Sequence, residues 1–260
     1  MSGVIEQAAQ ILRQAGETGQ PCQPVRTLLP EGDLAAAYRV QKLNTDLALA
    51  QGRRISGKKI GLTSVAVQKQ LGVDQPDYGV LFADMEVPSG GSVAFGSVLQ
   101  PRVEAEVALV IGQDLTHPDT TLAELIGAVE FVLPAIEIVD SRVAGWDISI
   151  TDTIADNASS GAYVLGNRPV RLADVDLALC GMALYNRGEP VSVGAGVACL
   201  GHPLTAALWL ARTMARMGQP LTAGEVVLTG ALGPMVPVLA GETYYANING
   251  LGSVSVQFTS

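Results

Sequence analysis

The segment Gln100-Pro-Arg-Val-Glu-Ala-Glu-Val-Ala-Leu-Val-Ile111 decides the fold class and the chemistry of this chain. Its apolar and β-branched residues predict a strand over 103–111. Successive side chains of a strand point to opposite faces, so Glu104 and Glu106 share one face, about 6 to 7 Å apart. A solvated strand face would explain this pair, yet the same face continues with an alanine and a valine. If the face is interior, the two carboxylates need a counter-charge, because an unpaired buried charge is very costly.

The sequence around this segment has a pattern typical of a β-rich core. Short apolar runs bounded by Gly, Pro, Asp and Asn predict further strands near 55–62, 79–87 and 130–139, and an all-β stretch over 225–258 with turns at Ala240-Gly241 and Asn249-Gly250. Helical periodicity predicts helices near 65–71, 120–128 and 203–217. Because most strands lie close in sequence, antiparallel pairing is favoured over a regular βαβ alternation.

The first fifty residues have a helical pattern. Apolar spacing predicts helices over 3–16 and about 33–51, with Asp33 as N-cap and Gly52 as the stop. We therefore expect a helical N-terminal arm over 1–53 and a β-rich catalytic core over 54–260. No linker, internal repeat or low-complexity tract separates them, so the two are expected to form one structural unit.

Composition excludes several classes of function. The net charge of -9 and the absence of a basic block argue against nucleic-acid binding. No apolar run approaches the roughly 20 residues that span a bilayer, so a membrane protein is not expected. The three separated cysteines predict neither disulfides nor a zinc site and favour a reducing, cytoplasmic location. Charged residues make up 16%, below the roughly 25% typical of soluble domains, which indicates surface buried between subunits.

A third carboxylate, Glu137, lies in the apolar run 131–139 and is expected to be buried near the end of a strand. It could simply pair with Arg102 or Arg142. Together with Glu104 and Glu106 it would suit a hard cation such as Mg²⁺ or Mn²⁺, whose octahedral shell then retains positions for a chelating substrate and water. Zinc is disfavoured, because the chain has few His and Cys residues.

An ordered series of motifs resembles a known family. The motifs are GKKIGLTS (57–64), LGVDQPDYGVLFADM (71–85), QPRVEAEVALVI (100–111), LPAIEIVDSR (133–142), DTIADNASSG (152–161), CLGHPLTAALWLA (199–211) and VVLTGALGPMVPV (226–238). Together they resemble the 2-keto-4-pentenoate hydratases of the fumarylacetoacetate hydrolase superfamily, over nearly the whole chain. The resemblance implies an α+β fold with a mixed β-roll or sandwich core and the helical N-terminal segment.

The resemblance also implies roles for individual residues. It makes Glu104, Glu106 and Glu137 ligands of Mg²⁺ or Mn²⁺, and it places Lys59 and Asp77 in the pocket, where we assign them as the acid–base pair. Ser159 and Thr229 are implied to line the substrate pocket. These last four residues also have ordinary explanations. Lys59 could be a solvated lysine, Asp77 a turn residue and Ser159 a cap of local backbone, and Thr229 could simply lie where a strand ends in a turn.

The implied reaction is hydration of 2-hydroxypenta-2,4-dienoate to 4-hydroxy-2-oxopentanoate in the meta-cleavage breakdown of aromatic compounds. The resemblance further implies a homo-oligomer, a pentamer or decamer, and a decarboxylase of the same pathway as a possible partner. The nearest alternative is a 4-oxalocrotonate decarboxylase, a branch in which an apolar residue tends to stand at the position of Asp77. Acylpyruvate hydrolases typically use a His and a Glu in a lid to activate water. That activity is disfavoured here, because His117 and His202 both lie outside the N-terminal third. A non-catalytic partner subunit would not need three converging carboxylates.

Overall fold

The structure, a computed structural model, describes residues 2–65, 68–69 and 73–260. Thirteen strands in this part of the chain form two sheets. The strands are β1 Ile55–Gly61, β2 Asp77–Phe82, β3 Glu86–Pro88, β4 Ser92–Ala94, β5 Arg102–Ile111, β6 Val129–Val139, β7 Ser160–Leu165, β8 Gly181–Asn186, β9 Glu189–Ala195, β10 Val226–Ala231, β11 Val236–Pro237, β12 Thr243–Ile248 and β13 Gly252–Thr259. The helices are α1 Ser2–Thr18, α2 Leu34–Ala50, α3 Leu122–Ala128, α4 Ile150–Ala155 and α5 Pro203–Arg216.

The larger sheet has eight strands in the order β2-β1-β10-β5-β6-β7-β3, with β11 paired to β5. Its centre is the long antiparallel pair β5–β6, in which Glu104 lies opposite Glu137. The sheet curls until β1 and β7 approach each other, and the hydroxyls of Ser56 and Tyr163 come within 2.9 Å. One face of β5 and β6 is therefore enclosed by the sheet itself.

The smaller sheet, in the order β4-β13-β12-β8-β9, packs on the other face of β5 and β6. Val107 and Ile136 from the large sheet and Tyr244 and Val256 from the small sheet belong to one buried core. Most strand pairs are antiparallel, as expected, whereas β1–β10, β3–β7 and β4–β13 are parallel. The predicted mixed β core with N-terminal helices is confirmed.

The helices α1 and α2 pack against α4 through a separate apolar cluster that includes Leu12, Val40 and Ile154. The carboxylate of Asp33 accepts a hydrogen bond from the amide of Ala36, so the predicted N-cap is confirmed. Whether the chain is best divided at residue 53 stays a prediction.

The structure corrects one of the predicted strands. The single strand predicted over 79–87 is wrong, because a 3-10 turn at Ala83–Met85 separates β2 from β3. The turn is needed because β2 and β3 lie at opposite ends of the large sheet, and Arg53 holds it through an ion pair with Asp84. The helix predicted over 65–71 falls mainly outside the described residues. The hairpin turn at Asn249-Gly250 is confirmed between β12 and β13.

None of the described helices is long and apolar enough to span a membrane.

Candidate active site

Three carboxylates converge on the enclosed face of the large sheet. Glu104 and Glu137 are direct neighbours across the β5–β6 ladder, and Glu106 is the next residue of β5 on the same face. One oxygen from each lies within 4.8 Å of the others. Glu106 and Glu137 are buried and Glu104 is half-buried. The face is therefore interior, and the explanation of the pair as a solvated strand surface is wrong.

Lys59 on β1 supplies a positive charge beside this cluster. It is only 4% exposed, so it is not the solvated lysine that the sequence also allowed. Its Nζ lies 3.0 Å from Oε1 of Glu137 and donates to the carbonyl of Ala158 at 2.9 Å. Glu137 thus pairs with Lys59 rather than with either arginine.

The two arginines that could have paired with Glu137 are engaged elsewhere. The guanidinium of Arg102 lies over the ring of Trp146, 4.2 Å from its centroid. Arg142 forms an ion pair with Asp156 and donates to the carbonyl of Ser160. Neither arginine therefore forms an ion pair with Glu137, although the charge of Arg102 partly opposes the upward pKa shift of Glu104.

Asp77 begins β2, and it lies opposite Gly61 of β1 with a fully buried side chain. It is a strand residue, not a turn residue. Both carboxylate oxygens are buried without a hydrogen-bond partner. Burial raises the pKa of Asp77 to about 6, with the charge of Lys59 opposing the shift. Asp77 can therefore both accept and release a proton near neutral pH.

Burial and mutual repulsion also perturb the other charged groups. Burial raises the pKa of Glu104 to about 7, and the carboxylate of Glu137 adds to the shift. The same two causes raise the pKa of Glu106 well above its ordinary value. Burial lowers the pKa of Lys59, but the attraction of Glu137 and Asp77 outweighs it, so the net shift is upward. In the absence of a cation, the carboxyl groups of Glu104 and Glu106 therefore retain protons to higher pH than ordinary glutamates do.

Ser159 lies in a turn of three consecutive residues with positive φ, Asn157, Ala158 and Ser159. Such a run is strained for residues other than glycine. The turn directs the carbonyl of Ala158 to Lys59 and leaves the buried Ser159 Oγ without a hydrogen-bond partner. Its hydroxyl does not cap local backbone, and contact with substrate stays a prediction.

Thr229 is fully buried, and its hydroxyl donates to the carbonyl of Val107 at 2.9 Å. The pairing of β10 with β5 is interrupted here by a bulge. The bulge directs the amide of Gly230 to Oε2 of Glu106 at 2.8 Å. Sequence reasoning missed Gly230, although it lies in the motif over 226–238 directly after Thr229. Its φ of 111°, with Thr63 packed against it, explains why a glycine stands there.

The unpartnered buried atoms identify what the site can hold. Among the described residues, the buried side-chain oxygens without a hydrogen-bond partner are Asp77 Oδ1 and Oδ2, Glu106 Oε1, Glu137 Oε1 and Oε2, and Ser159 Oγ. All belong to predicted site residues. Buried polar atoms are normally satisfied by protein, water or an ion. Apart from the ion pair of Glu137 with Lys59 and the hydrogen bond from Gly230 to Glu106, the oxygens of this carboxylate cluster have room for a further positive partner, which fits a hard divalent cation.

Two grooves on the described surface lie away from this cluster. One, of about 510 Å³, runs between α1, α2 and the region around Asp140 and Arg142. Another, of about 780 Å³, lies between α2 and the outer side of β1 and β2 and includes Lys58 and Tyr78. Neither includes Glu104, Glu106 or Glu137, so groove size alone would misplace the site.

Comparison with known proteins now decides the family. The model of the fumarylacetoacetate hydrolase C-terminal family matches residues 57–259. The chain belongs to this family. The match includes every residue of the carboxylate cluster together with Lys59 and Asp77, so the described site lies within the part that the fumarylacetoacetate hydrolase family shares.

Individual members of the fumarylacetoacetate hydrolase family are similar over almost the full length. The TodF product hydratase of Pseudomonas putida strain F1 is 58% identical over 99% of this chain and 96% of its own. A protein of Dechloromonas aromatica named 2-keto-4-pentenoate hydratase 2 is 57% identical over 97% of both chains. The solved 4-oxalocrotonate decarboxylase of P. putida G7, complexed with magnesium and adipate, is 36% identical with a TM-score of 0.95, over 99% of this chain and 98% of its own.

Proposed function

We propose that this chain is a divalent-metal-dependent hydratase that converts 2-hydroxypenta-2,4-dienoate to 4-hydroxy-2-oxopentanoate. The observation that carries the proposal is the buried cluster of three glutamates beside Lys59 and the unpartnered carboxylate of Asp77. The names of relatives that are more than half identical over nearly the full length support the substrate and the reaction.

Glu104, Glu106 and Glu137 would hold the cation, which we propose is Mg²⁺ or Mn²⁺. Their oxygen donors suit a hard ion, and the magnesium of the solved decarboxylase supports this choice. When bound, the cation would polarise the 2-oxygen of the substrate and offset the negative charge of the substrate carboxylate. The amide of Gly230 fixes one oxygen of Glu106 and so orients this ligand.

Lys59 and Ser159 would position the substrate. The carbonyl of Ala158 and the carboxylate of Glu137 hold the ammonium of Lys59, which places a fixed positive charge at the edge of the cluster. Such a preoriented charge stabilises the negative charge that develops on the dienolate without reorganisation. The unpartnered hydroxyl of Ser159 can donate to an oxygen of the substrate.

Asp77 would move the protons. With a pKa near neutrality, it can take the proton of the 2-hydroxyl and deliver a proton to carbon 5, which gives a 2-oxo acid conjugated to the C3–C4 double bond. Water then adds its oxygen at carbon 4, and carbon 3 takes the remaining proton. Asp77 is the suited base because it is buried and free of hydrogen bonds, whereas Lys59 stays charged.

A 4-oxalocrotonate decarboxylase is the second candidate, because the solved decarboxylase has the same fold over the full chain. Its 36% identity is lower than the 58% and 57% of the two hydratases. The acidic Asp77 within the site also supports hydration, since the resemblance implies an apolar residue at this position in the decarboxylase branch.

The experiment that tests the proposal compares two substrates. The Mg²⁺-loaded chain is incubated with freshly generated 2-hydroxypenta-2,4-dienoate and, separately, with the dienol of oxalocrotonate, and NMR identifies the products. We expect 4-hydroxy-2-oxopentanoate from the first and no CO₂ from the second. Release of CO₂ without hydration of the pentadienoate would instead establish the decarboxylase.

The assembly and location of the protein are further parts of the proposal. The low charged fraction and the exposed side chains of Leu179, Val193 and Leu239 support a homo-oligomer, a pentamer or decamer. A decarboxylase of the same pathway would be a partner, and the free cysteines support a cytoplasmic location. Light scattering at micromolar concentration should give a multiple of 27.0 kDa, and a monomer would contradict the assembly.

A further inference from the structure

The strand that carries Asp77 lies at one end of the large sheet. β2 pairs with β1 on its inner side, where Asp77 lies opposite Gly61 and Gly79 opposite Lys59. On its outer side, backbone groups of Tyr78 and Val80 bond side chains instead of another strand. Unpaired edge groups must be satisfied somewhere, and here two side-chain amides do so.

The first amide is Gln41 of helix α2. Its side chain is 4% exposed, and its Nε2 donates to the carbonyl of Tyr78 at 2.9 Å and to that of Ile154 at 3.2 Å. One side chain thus connects β2, next to Asp77, with α4. Tyr38, three residues earlier on the same helix, stacks on Tyr78 with ring centroids 4.6 Å apart. Helix α2 therefore holds the residue that directly follows Asp77.

The second amide is Asn157. Its Oδ1 accepts from the amide of Val80 at 2.7 Å, and its Nδ2 donates to the carbonyl of Val80 at 2.9 Å. This is the hydrogen-bond pair that a neighbouring strand would make. Gly79 allows the close approach, since a Cβ there would lie 2.4 Å from the carbonyl oxygen of Asn157. Asn157 also starts the left-handed turn that presents Ala158 to Lys59.

Asp77 depends on this support. Its carboxylate has no side-chain hydrogen-bond partner among the described residues, so its position follows from the backbone of β2 and of the adjacent β1. We propose that Gln41 and Asn157 are positioning residues that replace a missing neighbour strand and hold Asp77 at its working distance from Lys59. The proposal rests on the proposed function, because Asp77 is assigned there as the base.

One consequence concerns the N-terminal helices. The family model matches residues 57–259, whereas Gln41 and Tyr38 lie before it. Helix α2 is then part of the catalytic apparatus, although it contributes no side chain to the carboxylate cluster. Displacement of a catalytic group by about 1 Å can cost on the order of 10²-fold in rate, so a small movement of β2 matters.

Gln41→Met tests the proposal, because methionine keeps the length and removes the donor. We expect kcat to fall roughly 10- to 100-fold with little change in KM or in Mg²⁺ affinity. Asn44→Leu is the matched control, since Asn44 lies on the same helix but bonds Ala9 and Arg13 of α1. That variant should unfold at a lower temperature yet keep the wild-type kcat.

A double-mutant cycle separates positioning from a general loss of structure. In an Asp77→Asn background, Gln41→Met should cost no further activity, because the group that it positions is already disabled. Asn157→Asp keeps the shape of the side chain but loses the Nδ2 group that donates to the carbonyl of Val80. We expect this variant to lower kcat by itself and to cost no further activity in the Asp77→Asn background. Fully additive losses, or wild-type kcat in both folded single variants, would overturn the proposal. An inactive wild-type chain would instead contradict the proposed function.

Discussion

Gly61 lies directly beneath the carboxylate of Asp77. A Cβ at Gly61 would lie 2.1 Å from Oδ1 of Asp77, closer than any two such atoms can approach. The two residues face each other across the β1–β2 ladder. The absence of a side chain at Gly61 is therefore what gives the proposed base its place.

Gly61→Ala should displace Asp77 without disturbing the glutamates. We expect kcat to fall roughly 10- to 100-fold while Mg²⁺ affinity stays unchanged, because the alanine methyl moves one short side chain away from its working position. Steady-state kinetics and calorimetric titration with Mg²⁺ provide the measurement. Gly127→Ala on α3, where the added methyl meets nothing within 4 Å, is the control and should retain full activity. Unchanged turnover of Gly61→Ala would show that the position of Asp77 is not critical.

Asp77→Asn should preserve the fold and metal binding but lower kcat by roughly 10² to 10⁴, the usual contribution of a positioned acid–base group. KM should change little, since Asp77 is assigned to proton transfer and not to binding. Asp84→Asn offers a matched control, because Asp84 is exposed and forms only a surface ion pair with Arg53. A kcat for Asp77→Asn within about threefold of the wild type would exclude the catalytic role.

Glu106→Gln should instead weaken the binding of the metal ion. Residues that merely support a ligand typically contribute roughly 10- to 100-fold to metal affinity, so loss of a ligand should weaken Mg²⁺ binding by at least that factor. Substrate affinity should fall in parallel. Glu130→Gln on the same sheet, at an exposed position of β6, should leave both affinities intact. Wild-type Mg²⁺ affinity in Glu106→Gln would remove Glu106 from the ligand set.

The metal-free protein should lose stability as pH rises. Burial raises the pKa of Glu104 to about 7 from an ordinary 4.5, so the folded state holds a proton there that the unfolded chain releases. The resulting stabilisation is complete below about pH 4.5 and is lost as pH rises through 7. The melting temperature in EDTA should therefore fall between about pH 4.5 and 7, and less steeply for Glu104→Gln. Saturating Mg²⁺ should remove most of this dependence, and a flat profile in EDTA would contradict it.

The sequence predicted the convergence of the glutamates well, because strand periodicity alone places Glu104 and Glu106 on one face. The position of Glu137 opposite Glu104 depends on the β5–β6 register, which a single sequence does not reveal. The apolar run 131–139 already indicated Glu137 as a buried third carboxylate, the resemblance implied that it is a ligand, and the three carboxylates do converge. The roles assigned to Ser159 and Thr229 stay predictions, as do those of Lys59, Asp77 and the three glutamates.

Several supporting residues could not be predicted. Gln41 lies within an ordinary helical pattern, and its importance arises from a contact with β2 that is 37 residues away in sequence. Asn157 and Gly230 act through backbone geometry, a left-handed turn and a bulge, which local composition only suggests. The break between β2 and β3 was not predicted, because it follows from the strand order, in which β2 and β3 lie at opposite ends of the large sheet.

The most direct test of the central claim is the metal dependence of the reaction itself. EDTA-treated protein, freed of the chelator by dialysis, is given 2-hydroxypenta-2,4-dienoate before and after addition of Mg²⁺, and product formation is followed by NMR. We predict no 4-hydroxy-2-oxopentanoate before the addition and full turnover after it, with Glu106→Gln requiring far more Mg²⁺ than the wild type. Full turnover in the metal-free protein, or no hydration at saturating Mg²⁺, would contradict the account.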